Sequence, residues 1–432
     1  MKQASPYDVV VIGGGPGGST VATLVADADH KVLLVERGNF PRFHIGESLM
    51  PETYWVFKRL GMLPKMKASH FVKKLSVQFT NASGKDSAPF FFDEMNPHES
   101  SQTWQVVRSE FDRMMLDNAR EHGVEVWEEA NVSEVLFEPS ETDALPRATG
   151  VVVTRKDQQP ARVEAKVVVD ASGASALISR KLGIRKPDSR LRKASIFAHY
   201  KGAQRDSGRN EGATLVLSTT QSDGWFWYIP LPDDVVSVGV VGDLDRLIAT
   251  RQRPEQTLEE EVAGCRGLDG RMNGAVRVSP VYVLSDFSWQ ATRSAGEGWV
   301  LVGDAFGFLD PIYSSGVFLA LKSAEMAADC VNEAFANNDF SAAQLGKWGR
   351  PLSDGMQAMR KLVYAFYTEG FSFGQFMRKH PELKRNLVEL LIGDVFRPEV
   401  NRIFDTMGRE IALPEPTPLE EPGPPRAVEA VA

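Results

Sequence analysis

Apolar residues recur along this chain with two periods, and the switch from one to the other marks its elements. Tyr7 to Ile12 is an almost unbroken β-branched run, the pattern of a strand buried on both faces of a parallel sheet. After a glycine cluster, helical spacing takes over from Ser19 to Asp27, and a second β-branched run, Lys31 to Val35, ends in Glu36. Val167 to Asp170 repeats the buried-strand pattern and stops at the turn Ala171-Ser172-Gly173. Between residues 185 and 290, strand-like runs alternate with polar turns (Ser195–Tyr200, Thr214–Leu217, Trp225–Ile229, Val235–Val241, Ala275–Val283), which predicts an antiparallel sheet; Phe90-Phe91-Phe92 fits an edge of it. Helical spacing returns from Val317 to Ala336 and from Ser341 to about Met407. From Leu413 the chain is rich in Pro and Glu and is expected to be disordered.

The predicted fold class is therefore α/β. A Rossmann-type nucleotide domain spans 1–75, 100–184 and 291–335, and an antiparallel-sheet substrate domain, 76–99 and 185–290, is interleaved with it. A helical C-terminal region covers 336–412 and a disordered tail 413–432.

Composition changes this picture only by exclusion. With 49 basic against 57 acidic residues the net charge is −8, which argues against nucleic acid and anionic membranes as partners. Two cysteines, Cys265 and Cys330, give neither a disulfide framework nor a metal site. No apolar stretch reaches spanning length and the N-terminus does not read as a signal peptide, so a cytoplasmic location is expected. His44, His70, His98 and His199 lack ligand spacing, and no metal is expected.

Gly13, Gly15 and Gly18 form G-x-G-x-x-G between the first strand and the first helix, with Glu36 at the end of the second strand. Each position has its own reason. Gly13 permits the tight turn, Gly15 lets backbone approach a pyrophosphate, and Gly18 allows helix and strand to pack closely. The helix N-terminus offers unpaired N–H groups to phosphate, and Glu36 can accept from ribose hydroxyls. These residues leave NAD and FAD equally open.

Three further segments bear on that choice: Gly46-Glu47-Ser48, Val106 to Leu116 with Arg108, and the strand–turn–helix run from Gly298 through Asp304 to Gly316. Together with the glycine loop they resemble the FAD-dependent monooxygenase superfamily. The resemblance implies FAD contacts from Gly13, Gly15, Gly18, Glu36, Arg37, Ser48, Arg108, Asp304 and Gly316.

Within that superfamily the chain resembles the flavin-dependent halogenases. Gly224-Trp225-Phe-Trp227-Tyr-Ile229-Pro230 carries W-x-W-x-I-P, and Phe71 to Phe79 fits F-x-x-K-x-G-x-x-F with Ser76 in place of glycine. Phe308 to Gly316 fits F-x-P-x-S-x-G if one residue is allowed between its phenylalanine and proline and a second before Ser314. The resemblance implies that Lys74 handles the oxidised halogen, either as a hydrogen-bond donor to hypohalous acid or as a haloamine. It implies that Trp225 and Trp227 wall the flavin off from the substrate, and that the backbone of Ser315 and Gly316 holds chloride or bromide. On a strand, Lys73 points away from Lys74.

Tyr313 stands where tryptophan halogenases carry a catalytic glutamate, which shifts the expectation to the branch acting on phenols or pyrroles, free or bound to a carrier protein. The implied reaction uses FAD reduced by a separate flavin reductase, oxygen and halide. Tyr364, Phe366, Tyr367, Phe371, Phe373 and Phe376 form an aromatic cluster that could line or cap the substrate pocket. Two competing readings are a halogenase-like monooxygenase or reductase that does not halogenate, and an FAD-binding partner without catalysis.

Overall fold

A computed structural model describes residues 7–94, 96–140, 143–249 and 253–422. Its first sheet is built on the buried runs. Tyr7–Ile12 lies between Val32–Val35 and Ala161–Asp170, all parallel, and the sheet continues to Glu125–Trp127 on one side and Trp299–Leu301 on the other. Strand Ala161–Asp170 has two roles. Its apolar second half runs parallel to Tyr7–Ile12, while its first half leaves the sheet and pairs antiparallel with Arg147–Arg155. Helix Pro16–Ala26 covers one face of this sheet, packed between helices Ser315–Asn337 and Arg108–Glu121.

The second sheet is antiparallel except where Ser76–Thr80 joins Thr214–Ser218 in parallel, with Phe90–Phe91 outside it. The other members are Gly224–Pro230, Val235–Asp243, Lys193–Lys201 and the edge pieces Val276–Arg277 and Tyr282–Ser285. Side chains alternate across this sheet. Phe197, Val216, Trp225, Trp227 and Val241 face the main core; Ile196, Leu215, Phe226, Tyr228 and Val240 face a separate core. Leu258 of helix Pro254–Gly264 closes that second core.

Two expectations are corrected. Residues 185–290 are not all strand and turn, because Pro254–Gly264 is helical; only Thr257 and Leu258 of this helix are buried, so its apolar period is too sparse to read. The expected disordered tail, 413–432, is partly ordered. Leu413 and Leu419 pack on the core, Arg360 donates to Glu415 O at 2.7 Å, and Glu420 N donates to Thr292 O at 2.7 Å. Two leucines, one side-chain-to-backbone and one backbone-to-backbone hydrogen bond hold what composition alone would leave free. Residues 423–432 lie outside the described residues.

The C-terminal region packs helices Gly349–Tyr367, Phe373–Lys379, Lys384–Ile392 and Arg402–Met407 against both sheets. Among the described residues no helix is long and apolar enough to cross a membrane, and no group of three metal-ligating side chains could hold an ion. Cys265 and Cys330 are buried free thiols.

Candidate active site

A cavity of about 1300 Å³ runs between the two sheets. One end is the glycine loop. A Cβ on Gly13, whose φ is +104°, would lie 2.5 Å from Ala171 O, and one on Gly18 would lie 1.9 Å from Gly13 O, so neither position admits a side chain. Gly15 differs, since nothing comes nearer its Cβ position than the Arg42 guanidinium at 3.9 Å, and it opens onto the cavity. Two glycines shape the loop, and the third leaves room for a ligand above it. This is the cradle a pyrophosphate requires, so the residues present fit a dinucleotide.

The expected cofactor contacts all come to this cavity's walls or directly beneath them, in differing states. Glu36 is buried, and its carboxylate accepts from Gly14 N at 2.8 Å and Gly38 N at 2.7 Å, fixing the loop's shape. Arg37 is exposed at the rim. Arg108, first residue of its helix, donates bidentately to Asp112 at 2.8 and 3.0 Å and braces the turn at Ile45 and Gly46. Asp304 lies in the turn after strand Trp299–Leu301; burial pushes its carboxyl up to about 6, against the opposing pull of Arg108. The same Arg108, helped by burial, holds the His44 imidazole down at about 4.

The far end is the tryptophan pair. Trp225 and Trp227, two apart on strand Gly224–Pro230, both face the cavity with ring centroids 6.2 Å apart. Gly239 sits opposite Trp227, and a Cβ there would lie 2.3 Å from the indole, so the ring lies flat across the neighbouring strand. Trp227 donates to Ser237 Oγ at 3.0 Å. Trp225 donates to Tyr367 Oη at 2.8 Å, and Tyr367 donates in turn to Asp310 at 3.1 Å. The other oxygen of Asp310 accepts from Ile312 N at 2.9 Å and caps the turn Pro311–Tyr313. Burial pushes the Asp310 carboxyl up to about 7 and holds the Tyr367 hydroxyl well above its usual range. That turn leads through Ser314, in the left-handed region at φ +57°, into the helix that begins Ser315-Gly316. Gly316 borders the cavity beside Phe308, whereas the Ser315 side chain is buried away from it, leaving its backbone N–H at the helix start.

Lys74 is not on the cavity surface. It ends the short strand Val72–Lys74 with its side chain inward, and Lys73 points to solvent. Its Nζ donates to Ser48 Oγ at 2.9 Å and Leu49 O at 3.0 Å, and it lies 5.7 Å from the Phe92 ring centre. Desolvation lowers its ammonium to about 7 with no anion offsetting the shift. Ser48 and Thr214, hydrogen-bonded to each other at 2.8 Å, stand between Lys74 and the cavity.

The aromatic cluster is placed differently from the expectation: none of its six members lines the cavity. Helix Gly349–Tyr367 turns Tyr364 into the core, and Phe366 and Tyr367 back Trp225 from behind. Tyr313 likewise faces away, donating to Leu362 O at 3.2 Å. Sequence reasoning missed Thr214, Gln105 and the hydrogen-bonding role of Tyr367. No local spacing marks them, because their partners lie 109, 142 and 166 residues away.

A dinucleotide loop feeding a cavity between a parallel and an antiparallel sheet defines a dinucleotide-dependent enzyme. Within that class, the model of the tryptophan halogenase family matches residues 8–105 and 93–372, and the chain belongs to that family. It is a flavin-dependent halogenase, using FAD and a halide. It is 30% identical over 95% of its length, and 94% of the relative's, to the 1H-pyrrole-2-carbonyl-[peptidyl-carrier protein] chlorinase of Pseudomonas fluorescens. The corresponding brominase of Pseudoalteromonas luteoviolacea is 32% identical over 92% of this chain and 94% of its own. The structure of flavin-dependent brominase Bmp2 superposes with a TM-score of 0.82 at 31% identity, over 94% of this chain and all of that one.

Proposed function

We propose that this halogenase chlorinates or brominates a pyrrole or phenol ring, with a pyrrole presented on a carrier protein as the leading substrate. The observation that carries the substrate is the near full-length likeness to two enzymes named for pyrrolyl carrier proteins. Tyr313 supports it. With its hydroxyl turned to Leu362 O, and with the Asp310 carboxyl of the same turn held by Ile312 N and Tyr367 off the cavity lining, position 313 offers no carboxylate base to the ring, which suits substrates whose own heteroatom drives loss of the ring proton.

The chemistry FAD supplies when bound, after reduction by a separate flavin reductase, is activation of dioxygen and oxidation of halide to hypohalous acid. The chain's own residues do the rest. The glycine loop and helix N-terminus would hold the phosphates of the bound cofactor, with Arg37, Arg108, Asp304 and Ser48 of the cavity wall as its further contacts. The Ser315 and Gly316 amides hold the halide, which an acidic protein needs a local site to attract. Trp225 and Trp227 keep the organic ring off the flavin, fixed by Tyr367 and Ser237. Lys74 then receives hypohalous acid. With its ammonium lowered to about 7, it is divided between donor and nucleophile forms near neutral pH.

The test combines the enzyme with a flavin reductase, NADH, bromide or chloride, and pyrrole-2-carboxyl groups loaded on a carrier protein, beside free pyrroles and phenols. Mass spectrometry should show the halogen isotope pattern on the carrier-bound ring. Halogenation confined to free phenols would reject the carrier reading; oxygenated product without halogen would reject the site assignment as a whole.

A further inference from the structure

Among the described residues, the Ser48–Thr214 pair joins Lys74 to the cavity, and counting their hydrogens shows what they present there. Gln105, fully buried, donates from Nε2 to Gly212 O at 2.9 Å and to Thr214 Oγ1 at 2.9 Å. The carbonyl of Gly212 needs a donor, so the amide orientation is fixed. Lys74 donates to Ser48 Oγ. Each hydroxyl oxygen thus accepts from outside the pair, one from Lys74 and one from Gln105. The Ser48–Thr214 bond consumes a single hydroxyl hydrogen, whichever oxygen donates it. One O–H therefore remains unspent, on a pair that lines the cavity while its other side carries Lys74.

We propose that the Ser48–Thr214 hydroxyl pair, oriented by Gln105, is the portal that hydrogen-bonds hypohalous acid in the cofactor cavity and passes it to Lys74. The inference rests on the reading that Lys74 receives the oxidised halogen. The wall at this point is one side chain thick, since Ser48 Oγ lies 2.9 Å from Lys74 Nζ and both portal residues have small side chains. Trp225 and Trp227, on the strand paired with that of Thr214, present rings to the cavity and no hydroxyl to a polar oxidant. The unpartnered, buried Oε1 of Gln105 fits a side chain held for its donor end. On the neutral amine the hand-over balances: an N–X bond forms as the O–X bond breaks, and the displaced amine proton joins hydroxide as water.

The probe is hypobromous acid itself, pulsed onto the purified full-length protein at pH 8, where the Lys74 amine is mostly neutral. The readout is the bromine isotope pattern on the peptide carrying Lys74. Thr214→Val keeps side-chain volume and removes the hydroxyl; it should lower bromination of Lys74 about tenfold, the scale of one lost hydrogen bond, and Thr214→Ser should restore it. Equal labelling of wild type and Thr214→Val overturns the portal, as does absence of label on wild-type Lys74 or failure of Thr214→Ser to restore it. In turnover with reductase, NADH and bromide, the ratio of hypobromous acid caught by monochlorodimedone to bromine on Lys74 should rise in Thr214→Val; an unchanged ratio counts against the portal. Lys74→Ala tests the underlying reading separately: ring halogenation retained by that variant removes Lys74 from its role, whatever Thr214 does.

Discussion

On one side of the Ser48–Thr214 pair lies a cavity of about 1300 Å³ that opens from the glycine loop; on the other, Lys74 is closed in by Ser48, the Leu49 carbonyl and the Phe92 ring. The cofactor side relies on glycine spacing and helix starts, which tolerate variation in surrounding side chains because the ligand-facing atoms are amides. The halogen side relies on individual functional groups: one ammonium, two hydroxyls, one amide and the tyrosine behind Trp225. Under the proposed function, the difference locates where substitutions act, on cofactor retention on one side and on the fate of the halogen on the other.

The sharpest way to break this division is Lys74→Ala. The ratio of halogenated product to oxygen consumed should fall by roughly 100-fold or more, with FAD still retained; loss of FAD instead would show the two sides to be one. Gly18→Ala tests the cofactor side. A methyl 1.9 Å from Gly13 O cannot be accommodated without moving the loop, so stability should fall by about 1–3 kcal/mol and FAD absorbance should be lost on gel filtration.

Next in size is a pH effect. The folded-state pKa of Lys74 is lowered to about 7, so between about 7 and the unfolded value near 10.5 the unfolded chain binds the extra proton. Wild-type stability relative to Lys74→Met should therefore rise from pH 7 to pH 9, by on the order of 2 kcal/mol, and stay flat below pH 6; urea midpoints at matched pH read it. Tyr367→Phe leaves the Trp225 N–H and the buried Asp310 carboxyl without their shared partner, a cost of about 1–2 kcal/mol in thermal or urea unfolding. The smallest effect expected is Leu419→Ala, about 1 kcal/mol, since that side chain is only partly buried on the core; no change would return residues 413–422 to the disorder their composition suggests.

The same division governs what could be read from the chain. Gly13, Gly15, Gly18 and Glu36 stand in order within two dozen residues, and each has one physical reason to be there, so loop, helix and parallel strands follow from local pattern. The halogen side was legible only at the tryptophans and Lys74, through resemblance. Thr214, Gln105 and Tyr367 are ordinary residues in ordinary strand or helix positions until the fold brings them to Ser48, Lys74 and Trp225. The aromatic cluster misled because helical spacing shows which residues share a face but not what that face meets. Helix Pro254–Gly264 announced itself only by Pro254 and Glu255 at its start, a signal that its polar remainder diluted.

The hydrogen bond from Trp225 to Tyr367 spans 142 residues of chain and joins the second sheet to the last turn of a C-terminal helix. A chimera between this enzyme and a relative, cut anywhere from 231 to 366, would take the wall from one parent and its anchor from the other. Junctions placed before 224 and after 367 keep them together, so the exchangeable cassette that carries the tryptophan wall intact runs from sheet to helix and is far longer than the tryptophan motif itself.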